Sequence, residues 1–168
     1  MVRPHLEGLP PLTVAEGCRL RTFQPGDEEH WARIMNECVG EGWTAERCRE
    51  ELVRRPQFRA DGCFIVEADG IPQGTATAWS RPELGEDVGY VHMVGVTLVC
   101  RGRGLGLLVS LATLHWFREH GRTSALLHTD DWRLAAVAVY LRLGFEPVIH
   151  DEQDADRWAA VRARLRRE

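Results

Sequence analysis

The chain has 168 residues, a formal net charge of −4 and 44% apolar side chains, the profile of a single globular domain long enough for one good core. Its balance is not basic, which argues against nucleic acid and membrane surfaces as partners, and no apolar run is long enough to span a bilayer. Cys18, Cys38, Cys48, Cys63 and Cys100 are scattered without a C-x-x-C pair and the His residues show no ligand spacing, so a reducing, cytoplasmic setting with no disulfide frame and no metal site is expected.

Residues 1–16 read as a loose N-terminal arm, because early prolines and Glu7 leave no apolar stretch for a signal peptide. One domain is expected over 17–168. Cys18–Phe23 alternates as a first strand. Asp27 is placed to cap a helix whose stripe is Trp31, Ile34 and Met35 and which ends near Gly40-Glu41-Gly42. Thr44 caps a second helix that stops before Pro56. Cys63–Ala68 and Ile71–Trp79 flank Asp69-Gly70, a two-residue hairpin signal. A long strand follows at Val88–Leu98, and alternation along it puts Tyr90, His92 and Val94 on one face and Val91 on the other. Leu105, Leu108, Val109, Ala112 and Trp116 mark the buried stripe of a third helix ending around Gly121. Next come a strand at Ser124–Thr129, a helix at Arg133–Leu143 and a last strand at Phe145–His150. The final helix, Asp154–Arg166, carries Arg157, Arg162, Arg164 and Arg166, with Arg167 just beyond, as a solvated face suited to a helix C-terminus.

The most telling stretch is Val94-Gly95-Val96-Thr97-Leu98-Val99-Cys100, which runs straight into Arg101-Gly102-Arg103-Gly104-Leu105-Gly106 and so opens the third helix. Bare backbone at Gly104 and Gly106 lets amide groups come close to a ligand. The helix start adds its unpaired N–H groups and its positive dipole end. Such a cradle suits a phosphate. A P-loop is ruled out because no Lys follows the glycines. A dinucleotide fingerprint fails on its last spacing and on the lack of an opening βαβ unit. What remains is R-x-x-G-x-G, filled by Arg101, Gly104 and Gly106.

That loop resembles the pyrophosphate loop of the GNAT superfamily, the acyl-CoA-dependent N-acyltransferases. A second block agrees with it: Ala136, Tyr140, Leu143, Gly144 and Phe145 fill the family's A-x-x-x-Y and L-G-F in order. Leu20-Arg21-Thr22-Phe23-Gln24-Pro25-Gly26-Asp27 is similar to its opening strand and first turn. The resemblance spans roughly residues 17 to 150. It implies fold class α/β (α+β), a single mixed, splayed β-sheet flanked by helices.

The resemblance also implies a chemistry: an acetyl group moves from acetyl-CoA, a co-substrate, to a primary amine of a small molecule or a protein N-terminus, without a metal. Gly102, Arg103, Gly104, Leu105, Gly106 and Leu107, with Arg101, would hold the pyrophosphate. Val94, Gly95 and Val96 would pair with the pantetheine arm and offer a backbone N–H to the oxyanion. Tyr140 is the implied general acid for the departing thiolate. Arg133 stands where many relatives carry an Asn that touches the CoA arm; a guanidinium there either reaches a phosphate or sits in solvent. An alkylamine, pKa ~10.4, must lose a proton before it attacks. Candidates to take it are Glu86, Asp87, Tyr90 and His92, on or before the long strand, and Asp131 after the next. Glu37, Glu41 and Trp43, between the first two helices, suit a cationic amine with an apolar body, and Tyr90 and Asp131 are further candidates for binding it. A homodimer is left open. The alternative is a catalytically silent acyl-CoA-binding or regulatory domain, which would keep the glycine loop but organise no acid and base.

Overall fold

A computed structural model describes residues 1–166; Arg167 lies outside the described residues. Six strands form one open sheet in the order β1-β6-β5-β4-β3-β2. β2 (Cys18–Thr22), β3 (Cys63–Ala68), β4 (Ile71–Trp79) and β5 (Val88–Val96) are successive antiparallel neighbours. β6 (Ser124–Leu126) joins β5 in parallel, and β1 (Val2–Arg3) lies antiparallel beyond it. The sheet is therefore mixed. Between β3 and β4 the turn residues Asp69 and Gly70 both take positive φ, 53° and 77°, the conformation a two-residue hairpin loop needs.

Alternation along β3 explains why helices cover both faces. Cys63 and Ile65 point into a cluster with Trp31, Ile34 and Met35 of α1 (Glu28–Cys38). Val66 and Ala68 point the other way, toward Leu105, Leu108 and Val109 of α3 (Leu105–Glu119). Each large apolar side chain so buried contributes about 1.5–3 kcal/mol, and Trp31, Ile34 and Met35 are fully enclosed. α2 (Ala45–Cys48) continues into a π-helical stretch, Arg49–Val53, on the α1 side. α4 (Leu134–Arg142) packs on α3, and α5 (Glu152–Leu165) packs on α4 through Val161, Leu134 and Val137. No helix among the described residues is long and apolar enough to cross a membrane.

Thr44 caps α2 as its position demands, accepting from the Arg47 amide at 3.1 Å. Asp27 precedes α1 but does not cap it with its side chain. Its carboxylate instead pairs with Arg21 at 2.6 and 2.8 Å and accepts from the Gln24 amide at 2.7 Å. Arg21 also donates to Glu67 at 2.6 Å, so an ion-paired network, rather than a cap, fastens α1 to the sheet.

Two expectations fail near the sheet's edge, for one reason. The segment expected as a loose arm is held at its start: Val2 and Arg3 pair with Leu126 and Ala125, Leu6 is buried, and the Arg3 guanidinium donates to the Leu143 carbonyl. Val2 thereby takes the place beside β6. The strand expected at Phe145–His150 shrinks to one bridge, Val2 to Glu146, because β1 now lies between it and β6 and offers only Val2 and Arg3. β6 also ends early, at Leu126, and β5 gives way after Val96 to a 3-10 turn at Leu98–Cys100.

Candidate active site

Where β5 ends, the chain builds the anion cradle. Gly104, the residue before α3, has a φ of 77°, a conformation that side-chain-bearing residues rarely adopt. The amides of Gly102, Gly104, Leu105, Gly106 and Leu107 find no backbone acceptor among the described residues, and no side chain caps α3. Open space lies over Gly102 and Gly104. Five donors beside the positive end of a 15-residue helix fit a diphosphate in both shape and charge. Exposed Arg101 and Arg103 flank the cradle, with Arg103 3.8 Å from Asp69.

From the cradle, β5 leads into a gap. Its parallel ladder with β6 covers only Val88, Gly89 and Tyr90, opposite Ser124, Ala125 and Leu126. Beyond Tyr90 the two strands part, leaving the edge of Val91–Val96 unpaired on that side among the described residues. On its other side β5 carries a bulge. Thr77 faces His92 and Thr75 faces Gly95, so Met93 and Val94 oppose the single residue Ala76. Met93 has a φ of 50°, a strained value for a side-chain-bearing residue and one that clusters at functional sites.

The bulge corrects the simple alternation expected for this strand. Val94 and Val96 face the α3 side, while Tyr90 and His92 face the α1 side with Trp79. Gly95 sits under α1: a Cβ there would begin 2.8 Å from Met35 Cε and 3.1 Å from Cys38 Cβ. The helix therefore rests on bare backbone, and the Cys38 thiol donates to the Val96 carbonyl at 3.1 Å.

Tyr140 and Arg133 stand at the gap from the α4 side. Tyr140 is buried, edge-on to Phe145. Burial pushes its phenol up to about 12, with smaller opposed influences from Arg133 and Tyr90. Arg133 donates to Asp130 at 2.8 Å and, across the gap, to the Cys38 carbonyl at 2.7 Å. Its guanidinium lies 4.3 Å from the Trp132 ring centroid.

A polar cluster lies where the strands part. The Tyr90 hydroxyl and His128 Nδ1 are 2.9 Å apart, and the Arg81 guanidinium stacks 3.9 Å over the Tyr90 ring. His92 packs on Trp79 with centroids 5.0 Å apart. Burial, aided by the Arg81 charge, pushes His92 down to about 4. Burial first, then the Arg81 charge and the N-terminal ammonium, lower His128. A cavity of about 320 Å³ opens beside His128, bounded by Leu126, Asp130, Asp131, Val137 and Trp158.

Comparison with known proteins agrees with this architecture. The sequence profile of the Acetyltransferase (GNAT) family matches residues 28–145. The chain belongs to the GNAT family. It is 34% identical over 143 residues to a mycothiol acetyltransferase of Thermomonospora curvata, covering 82% of this chain and 47% of that protein. To the mycothiol acetyltransferase of Thermobispora bispora it is 37% identical over 156 residues, covering 86% and 52%. The chain thus spans about half the length of the curated relatives it matches. Among solved structures, the ribosomal-protein-S18-alanine N-acetyltransferase from Escherichia coli has a TM-score of 0.65 at 15% identity, covering 79% of each chain. An aminoglycoside N-acetyltransferase, AAC(6')-Iy, in complex with CoA, has a TM-score of 0.65 at 22% identity, covering 80% and 91%.

In this GNAT frame the expected residues separate into two groups. The cradle, Val94–Val96, Tyr140, Arg133 and Tyr90 converge on the gap. Glu86 does not: it lies before the far end of β5, roughly 20 Å or more from Gly95 at strand rise. Glu37 is committed, accepting from the Leu98 amide at 3.0 Å and from Arg33 at 3.5 Å. Trp43 packs edge-on against Trp31 and lies under the Arg47 guanidinium. Asp131 is held by two hydrogen bonds from Arg157, both 3.0 Å. Arg81 and His128 were missed by sequence reasoning. His128 could have been found from its place at the end of a strand expected to splay, but nothing local distinguishes Arg81 from the other arginines.

Proposed function

We propose that this chain transfers an acetyl group from acetyl-CoA to the amine of a small molecule. The observation that carries the reading is the parting of β5 and β6 at Tyr90, directly beside the Met93 bulge, with free amide donors at one end of the open edge and Tyr140 near the other. The curated relatives are named for a small molecule, mycothiol, which favours a small acceptor over a protein N-terminus. Bound acetyl-CoA would supply the activated acyl thioester, with Gly102–Leu107 on its phosphates.

The protein's part then follows from its geometry. The bulge breaks the β4 ladder at Met93 and Val94, and a backbone N–H there serves the oxyanion. Tyr140 keeps its proton at neutral pH and donates to the departing sulfur. His92 is too weak a base, at about 4, to draw a proton from an amine efficiently. His128 suits the task better: where its Nδ1–H is given to the Tyr90 oxygen, the Nε2 lone pair is free to accept, and the residue lines the cavity. Attack is direct, amine nitrogen to thioester carbon, and no acyl-enzyme is required.

The first test is thermal stability with acetyl-CoA, CoA and a nucleotide control, followed by thiol release over an amine panel. Ligand at about a hundred times its Kd adds about 2.7 kcal/mol to stability, a rise of several degrees in Tm. No shift at near-millimolar acetyl-CoA overturns the reading. A shift without thiol release for any amine supports the silent acyl-CoA-binding alternative instead.

A further inference from the structure

Resting on the transferase reading, we propose that the acceptor amine also carries an anionic group, a carboxylate or a phosphate, and that Arg81, stacked over Tyr90, receives it. Charge around the gap is unevenly matched. Four acids near the gap are already engaged. Glu37 is tied to Leu98 and Arg33. Asp130 is paired with Arg133, and Asp131 and Asp154 are both paired with Arg157. Arg81 is the exception. Among the described residues its nearest carboxylate is Glu83, at 3.9 Å, and the Glu83 side chain is 66% exposed, a slack surface pair of little worth.

Position adds to charge. Tyr90 is the last residue of β5 to pair with β6, so a guanidinium lying over its ring stands at the point of the gap. That face of the sheet belongs to Tyr90, His92 and Trp79, opposite the side filled by α3 and α4. The neighbours of Arg81 are a phenol, two imidazoles and an indole. Both imidazoles are kept neutral, by burial and then by the Arg81 charge itself. One face of the guanidinium is shielded by the Tyr90 ring, and its planar fork of donors matches a carboxylate or phosphate. A purely cationic acceptor would meet this charge unscreened. A zwitterionic one would seat its anion on Arg81 and leave its amine toward His128.

Steady-state thiol release with matched acceptors tests the assignment. One pair is an amino acid and its amide, and a second is phosphoethanolamine and ethanolamine; the two pairs separate carboxylate from phosphate. The wild type is expected to prefer the anionic member of at least one pair. In R81Q that preference falls by about tenfold to a hundredfold through KM, the loss of one charge-assisted contact, while R81K keeps part of it. Retained stabilisation of R81Q by acetyl-CoA shows that the fold and cradle survive. The proposal is overturned if the preference is unchanged in R81Q, or if no anionic member outpaces its neutral partner. Absence of any acetyl-CoA stabilisation in the wild type is a separate result, and it removes the transferase reading itself.

Discussion

The two ends of the gap are made of different material. At the cradle end, Gly102 to Leu107 present backbone amides, and the helix that aims them is held by apolar contacts of Leu105, Leu108 and Val109. At the other end, proposed for the acceptor, Arg81, Tyr90, His92 and His128 present side chains, positioned by stacking and one hydrogen bond. Backbone donors tolerate changes of side chain almost anywhere except at residues with positive φ. Side-chain clusters change with a single substitution. One scaffold can therefore keep its cofactor while its acceptor varies, which is how a fold hosts many substrates.

That contrast is broken most sharply at Gly104. Valine there is forced into a φ of 77° although a Cβ would meet nothing within 4 Å. The backbone moves away from this conformation, and the cradle loses its geometry. The expected outcome is loss of acetyl-CoA stabilisation in a thermal scan, with the fold weakened by only about 1–2 kcal/mol. If Gly104→Val is stabilised as well as wild type, the turn is structural and the phosphate assignment falls.

The matching change at the other end is His128→Gln. Acetyl-CoA stabilisation should persist, while kcat/KM drops by about a hundredfold to ten-thousandfold. The sign with pH follows from its environment. Burial, then Arg81 and the N-terminal ammonium lower the His128 pKa below its ordinary 6.5, so the base form predominates at neutral pH. Activity should decline only as pH falls below that value, and the variant's profile should lose this acidic limb. A limb that survives in His128→Gln would assign the proton to another group. Tyr140→Phe should cost less, about a hundredfold, and in kcat rather than in the KM for acetyl-CoA. An unchanged kcat ends the acid role.

The same contrast governs what could be read from the sequence. Features written in backbone conformation were legible: the Asp69-Gly70 hairpin, the Gly104 turn and the parting of the sheet that the R-x-x-G-x-G and A-x-x-x-Y blocks imply. Features that depend on which side chains meet were not. Glu37 and Asp131 looked free in the sequence, but Leu98, Arg33 and Arg157 claim them across the fold. His92 has an ordinary reference pKa, and only packing on Trp79 near Arg81 makes it a poor base. Strand alternation failed at Met93 because one inserted residue reverses every face beyond it. The edge strand Val2–Arg3 was hidden because two residues carry no periodicity, and nothing local in Phe145–His150 announces that they take its place beside β6.

Arg133 belongs to neither end alone, and the smallest predicted effect is the one that assigns it. From the start of α4 it reaches the Cys38 carbonyl at the end of α1, and Cys38 in turn holds the Val96 carbonyl. That makes it a strap between the helix over the acceptor side and the helix that carries Tyr140. With its side chain 22% exposed, the strap is partly shielded from water. Arg133→Asn is too short to bridge to Cys38, and losing one such bond should cost about 0.5–1.5 kcal/mol, threefold to tenfold in an equilibrium. If the guanidinium mainly straps α1, the loss falls on the acceptor KM, because the end of α1 loosens over Gly95 while the cradle amides stay in place. If it mainly serves the cofactor, the loss falls on the acetyl-CoA KM and on the thermal shift that acetyl-CoA produces. The geometry favours the first outcome, since the guanidinium reaches across the gap to the Cys38 carbonyl at 2.7 Å.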